Sequence, residues 1–192
     1  VEREFRRYLE CGILAHGLAR ARCDACGHDF LIAFSCKGRG VCPSCNTRRM
    51  AEIAAHLADH VFPRLSVRQW VLSVPKRLRY FLQNDAAVQG VVLRLLLRVV
   101  ERGLREHSPG CGAQARIGAV AFIHRFGSSL NEHVQFHCCV VDGVFEPADD
   151  TDEVTGVVFH AVSALDAAAL RQVQVRVRQR TLHLFVRRGP LD

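Results

Sequence analysis

The sequence lacks a long apolar run. Its most hydrophobic stretch, residues 91–98, is interrupted by Arg94 and Arg98, which excludes a helical membrane span there. The first residues, Val1-Glu2-Arg3-Glu4-Phe5-Arg6-Arg7, are charged and lead into no apolar segment, so no secretory signal is expected. Lysine is nearly absent, with only Lys37 and Lys76 among 26 basic residues. Tyrosine is scarce too: Tyr8 and Tyr80 are the two in the chain. No His-x-Glu occurs anywhere, and Cys42 precedes Pro43 rather than following it. Both facts argue against a zinc nucleobase deaminase, which pairs His-x-Glu with Pro-Cys-x-x-Cys. Neither an internal repeat nor a low-complexity tract is visible.

Cysteine, by contrast, is plentiful, with nine residues in 192. Two Cys-x-x-Cys pairs, Cys23/Cys26 and Cys42/Cys45, are separated by residues 27–41. That spacing predicts a four-thiolate zinc site, since each pair offers two soft ligands from one tight turn. A complete set leaves Cys36 and His28, inside the loop, as bystanders, although either has the chemistry to substitute. The competing reading is two buried or redox-active thiol pairs. A thiol oxidoreductase would show one low-pKa thiol rather than two paired turns. With no signal and no span, a reducing cytoplasm is the expected compartment, where paired cysteines bind metal more often than each other.

Half of the residues are apolar, enough for a real core, and the length suits one or two domains. The net charge is +7 and uneven. Residues 63–142 carry eleven basic and five acidic groups, whereas residues 143–192 carry six and seven. Arginine grips phosphate bidentately, so a basic middle segment beside a zinc module points to nucleic acid. The candidate phosphate contacts are Lys37, Arg39, Arg48 and Arg49 beside the zinc module, and Lys76, Arg77 and Arg79 beyond it. A plain solvated surface is the alternative.

Periodicity predicts an α+β chain. Residues 2–20 read as a helix, 30–34 as a strand, and 47–60 as a helix. Pro63 divides an N-terminal zinc module, residues 1–62, from a second domain, residues 63–192. There, 70–74 read as a strand, 85–106 as a helix capped by Asp85, and 117–126 and 133–141 as strands. Asp142-Gly143 reads as a hairpin turn, 157–159 as a strand, and 166–187 as a helix. In the strand containing 133–141, alternate side chains share a face. Asn131, His133, Gln135 and His137 therefore form one polar row, opposite Val134 and Phe136. Imidazoles and a carboxamide oxygen suit Mn²⁺ or Mg²⁺ better than a closed zinc site. The alternative is the polar outer face of an edge strand.

Four stretches together resemble a known family. They are the cysteine pairs, residues 36–45 (CKGRGVCPSC), residues 71–80 (VLSVPKRLRY), and residues 125–133 (RFGSSLNEH) running on to Asp142-Gly143-Val144-Phe145. The order and identity of these motifs are similar to the rolling-circle insertion-sequence transposases of the HUH type, associated with mobile common-region elements. The resemblance implies a zinc-binding DNA module followed by an antiparallel sheet flanked by helices. It also implies cleavage and joining of single-stranded DNA element ends through a phosphotyrosine, aided by Mg²⁺ or Mn²⁺. No membrane partner and no small-molecule substrate is expected. The metal motif falls on Gln135-Phe136-His137, with His133 upstream, and departs from the pattern by having Gln where His is usual. The family's nucleophile lies on a helix after the metal motif, yet no tyrosine follows Tyr80. The resemblance therefore implies a chain truncated at its C-terminus that binds DNA and metal but does not cut. A zinc-ribbon DNA-binding or regulatory protein is the alternative reading.

Overall fold

Alternating charge starts the chain as a helix. Glu2 and Arg6 pair one turn apart at 2.6 Å on α1 (Glu2–Leu9). The helix ends well short of residue 20. Gly12 and Gly17 both take positive φ, and after a single 3₁₀ turn, Leu14–His16, the chain becomes β1 (Leu18–Arg22). At Gly17 a side chain would strike the Phe34 ring. This computed structural model describes residues 2–38, 42–126, 131–148 and 156–188.

The backbone divides into two compact units, Val1–Pro63 and Arg64–Asp192. In the first, β1 pairs antiparallel with β2 (Asp29–Ala33), from Leu18↔Ala33 at the base to Arg22↔Asp29 at the tip. Helix α2 (Pro43–His56) follows, with Pro43 in its first turn, where a missing N–H costs nothing. It runs on as a wider turn to Val61. Among the described residues of this unit, only Cys36 and Cys42 are buried. So small a chain with so little apolar core needs a cross-link or a metal to fold.

The second unit has an ordinary core. A three-stranded antiparallel sheet has the order β3 (Val67–Ser73), β5 (Glu132–Val141), β4 (Ala119–Phe126). On β5 the alternation is strict: Val134, Phe136, Cys138 and Val140 are buried, while His133, Gln135, His137 and Cys139 are half-buried on the other face. The buried face is covered by helices. α3 (Lys76–Asn84) contributes Leu78 and Leu82, and α4 (Ala86–Glu106) contributes Val92, Leu96, Val99 and Leu104. Asp85 caps α4 by accepting from the Ala87 and Val88 N–H groups at 2.8 and 3.1 Å. α5 (Ala167–Arg187), capped by Asp166, packs on α4 where Gly103 leaves room for Val173.

The Asp142-Gly143 pair does not make a hairpin with β5. β6 (Gly143–Pro147) leaves the main sheet and pairs with β7 (Val157–Ala161). Asp142 is held at the corner instead, by a bidentate ion pair with Arg68 at 2.9 and 3.2 Å. That long-range partner offers the carboxylate more than a turn would. No helix among the described residues is long and apolar enough to cross a membrane.

Candidate metal centres

In the first unit the hairpin decides which thiols meet. Gly12 N–H bonds to the Phe34 carbonyl at 3.0 Å, which sets Cys11 beside Cys36 at the open base of β1 and β2. The start of α2 brings Cys42 and Cys45 to the same place. The four sulfurs lie within 4.8 Å of one another, and the pairs Cys11–Cys45, Cys36–Cys45 and Cys42–Cys11 are each 3.6 Å apart. Zn–S bonds of about 2.3 Å imply tetrahedral edges of about 3.8 Å, close to these three separations, so the set suits zinc.

Cys42 and Cys45 therefore converge as the sequence predicts, but on Cys11 and Cys36 rather than on Cys23 and Cys26. The reason is length. Five strand residues, at about 3.3 Å each, carry the Cys23/Cys26 turn about 16 Å along the hairpin to its tip. There Cys23 N–H bonds to the His28 carbonyl, and Gly27 N–H to the Cys23 carbonyl, each at 2.8 Å. The N–H of Cys26, its thiol and the N–H of Ala25 lower the Cys23 thiol. The tip is thus built as a thiolate-holding turn, but among the described residues it gathers no third Cys, His or carboxylate.

A local signal did mark Cys36. Lys37 adopts φ 50, an uncommon left-handed conformation, and this turns the Gly38 N–H onto the Cys36 sulfur at 3.3 Å. A glycine two residues after a cysteine permits that N–H to sulfur contact. Cys36 N–H in turn reaches the Cys11 sulfur at 3.3 Å.

Without metal the thiols of Cys11, Cys36 and Cys45 share protons unequally. Bonds from Cys11, then from Cys36, Cys42 and the Lys37 N–H, outweigh burial and hold Cys45 down to about 7. The Cys36 N–H lowers Cys11, but burial and bonding to Cys45, Cys36 and Cys42 prevail and raise it to about 12. Cys36 is likewise raised: the Gly38 N–H and Cys11 lower it, but burial together with Cys45 and Cys42 prevails. Zinc must displace the protons of Cys11 and Cys36, both raised, so its affinity should climb from about pH 6 and still be rising at about pH 9. Calorimetry in buffers of different ionisation enthalpy should read net proton release. An affinity flat across that range would place the zinc on other groups.

In the second unit the polar row of β5 is continuous. Gln135 sits between its histidines, with Oε1 3.3 Å from His137 Nε2 and Nε2 3.4 Å from His133 Nε2. β3 secures both ends: Ser73 Oγ is 3.0 Å from His133 Nε2, and Gln69 Nε2 is 3.1 Å from His137 Nδ1. With the Gln69 amide turned so that its oxygen accepts from Nδ1–H, the His137 lone pair lies on Nε2, beside Gln135, where it is free to ligate. Burial first, and then the neighbouring His124, hold His137 below the ordinary histidine range. It is therefore a neutral imidazole at physiological pH, the form that ligates metal.

His124 was not visible as a site residue in the sequence. It lies on β4 opposite Gln135, and its ring stacks on His137 at 4.2 Å between centroids and 22° between planes. Only the antiparallel register of β4 and β5 brings it there. The oxygen and nitrogen of Gln135 and His137, 3.3 Å apart, are close to the roughly 3 Å that separates neighbouring ligands of an octahedral ion. The row offers imidazole nitrogens and a carboxamide oxygen, donor types that Mg²⁺ or Mn²⁺ can take.

Two family models match the chain, and the second spans the polar row. Residues 1–74 match the model described as transposase zinc-binding domain, and residues 118–192 match that described as putative transposase. This is a transposase-family chain. It is similar to the protein named "Putative transposase y4qJ" of Sinorhizobium fredii (strain NBRC 101917 / NGR234), with 30% identity over 140 residues. That alignment covers 71% of this chain and 33% of the relative, so the chain spans about a third of the protein it matches. No solved structure matches. The zinc-binding domain of this transposase-family chain and its four-cysteine cluster together support structural zinc.

The basic residues singled out in the sequence differ in how free they are. Lys37, Arg49, Lys76 and Arg77 are exposed and make no ion pair among the described residues. Arg48 is exposed but pairs with Glu52 at 2.9 Å. Arg79 is half-buried, and its Nε donates to the Val74 carbonyl at 3.2 Å, which fixes the β3–α3 connection. Arg39 lies outside the described residues.

Proposed function

We propose that this chain is the DNA-binding and phosphate-activating part of a rolling-circle transposase of the HUH type. The observation that carries the reading is the His133–Gln135–His137 row on the central strand, in a chain that matches transposase families at both ends. In this reading the zinc module, residues 1–62, presents Lys37, Arg39, Arg48 and Arg49 to DNA. The core, residues 63–192, presents Lys76, Arg77 and Arg79 at the start of α3, directly after β3. The partner is single-stranded DNA at element ends.

His133, Gln135 and His137 would hold Mg²⁺ or Mn²⁺, with His124 stacked on the last. Bound there, the ion supplies charge stabilisation to a phosphate that is being attacked. The protein's part is orientation. Ser73 and Gln69 fix the imidazole rings, and the β5 pleat keeps all three donors on one face. Gln135 weakens the set relative to a third imidazole, because a carboxamide oxygen is a poorer donor. α5, the helix after the row, carries no tyrosine, and neither does any residue beyond Tyr80. This chain alone should therefore bind single-stranded DNA with strong salt dependence and form no covalent link to it.

Incubation with labelled single-stranded DNA and Mn²⁺, followed by a denaturing gel, tests both halves. Retarded DNA on a native gel with no adduct after denaturation is the expected pair of results. An adduct would assign a nucleophile to this chain, and loss of salt dependence would remove the phosphate contacts.

A further inference from the structure

We infer that the outer surface of the helical layer is a second DNA-backbone site, separate from the polar row. α5 carries Arg171, Arg176, Arg178, Arg180 and Arg187 and not one carboxylate between Ala167 and Arg187. Against it, α4 presents Arg94 and Arg98, one turn apart. Between the two helices is a concavity of about 450 Å³, lined by Arg94 and Arg98 on one side and by Gln179, Arg180 and His183 on the other, with Leu95 in its wall.

The charges in this groove are not neutralised from within. Glu101 is taken by Arg105 and Arg116, Glu106 by Arg102 and Arg176, and Asp85 by Arg188. Among the described residues, Arg94, Arg98 and Arg180 make no ion pair. Like charges one helical turn apart each cost a few tenths of a kcal/mol in an isolated helix. Three arginines facing one concavity repel one another unless a polyanion enters. Gly90 adds room: the Arg94 guanidinium folds back over it, and a side chain there would sit 3.4 Å from Nη1.

The groove cannot be part of the polar row. Val92, Leu96 and Val99 turn one side of α4 toward the sheet's buried face, and Arg94 and Arg98 project from the exposed side. The His133–His137 row occupies the opposite, open face of the same sheet. DNA lying in the groove is therefore a different segment from any on the row. Planar guanidinium groups and an amide suit phosphodiester oxygens, and a concavity lined by paired helices follows a backbone rather than reading bases. The chemistry is that of sequence-independent anchoring of DNA next to the strand being processed.

This inference rests on the DNA-binding reading, and the test separates the two. The triple variant Arg94→Gln/Arg98→Gln/Arg180→Gln is compared with the wild type and with Lys76→Gln/Arg77→Gln on duplex DNA carrying a single-stranded end. Affinity is measured against salt concentration. Each lost phosphate contact should flatten the log–log slope by about 0.7–0.9, so the triple variant should lose about 2–3. Its Mn²⁺ binding and thermal melt should be unchanged. Arg94→Lys/Arg98→Lys/Arg180→Lys should restore most of the slope, because the charge returns. A triple variant that keeps the wild-type slope, while Lys76→Gln/Arg77→Gln loses it, overturns the groove and leaves the DNA-binding reading standing. A wild type with no affinity for DNA overturns both.

Discussion

Cys11→Ala should strip zinc from the N-terminal unit and unfold it, whereas Cys23→Ala should leave one zinc bound. Each variant removes one thiol, but only Cys11 belongs to the set with 3.6 Å sulfur separations. The expected loss is large because this unit buries almost nothing else. Structural zinc in small modules contributes on the order of 10 kcal/mol or more, which exceeds the stability of most domains. Metal analysis of the purified variants, with circular dichroism before and after a chelator, measures both effects. The core of Arg64–Asp192 has its own apolar cluster and should keep its melt throughout. Zinc retained by Cys11→Ala and lost by Cys23→Ala would show that the hairpin tip holds the ion.

His137→Ala should abolish Mn²⁺ binding at the row, and Gln135→His should strengthen it. His137 is the best-prepared ligand there. Its Nδ1 is occupied by Gln69, its Nε2 faces Gln135, and burial and His124 keep it neutral. Removing it leaves Gln135 with no imidazole partner on that side. Gln135→His places a stronger donor at the centre, with a gain on the order of tenfold, ~1.4 kcal/mol. Both side chains are only half-buried on an open face, so neither change should disturb the fold. Mn²⁺ titration followed by proton relaxation or calorimetry reads the affinities. Equal binding by the wild type and both variants would remove the row from consideration as a metal site. Ser73→Ala is a subtler probe: it frees the His133 ring and should weaken binding without abolishing it.

Much of the fold was legible in the sequence because its signals are local. Asp85 sits one residue before apolar helical periodicity and caps α4 as such a residue does. The β5 alternation was plain because Val134 and Phe136 separate three polar residues. Signals that compete with longer-range contacts were misread. The helical pattern of residues 2–20 ran through Gly12 and Gly17, whose positive φ values end it. Asp142-Gly143 has turn chemistry, but Arg68, far away in sequence, claims the aspartate.

The sequence by itself determined that this chain carries thiolate turns fit for zinc, a strand with two imidazoles and an amide on one face, and an excess of arginine. Each is a matter of residue type and spacing over a few positions. Only the tertiary structure decided which groups meet. The β1–β2 hairpin is long enough to part the two Cys-x-x-Cys turns, so Cys11 and Cys36 complete the cluster. The β4–β5 register lays His124 on His137, and the packing of α5 on α4 gathers Arg94, Arg98 and Arg180 around one groove. In each case the partners lie on separate elements, and strand register or helix packing sets their separation, which residue spacing does not encode.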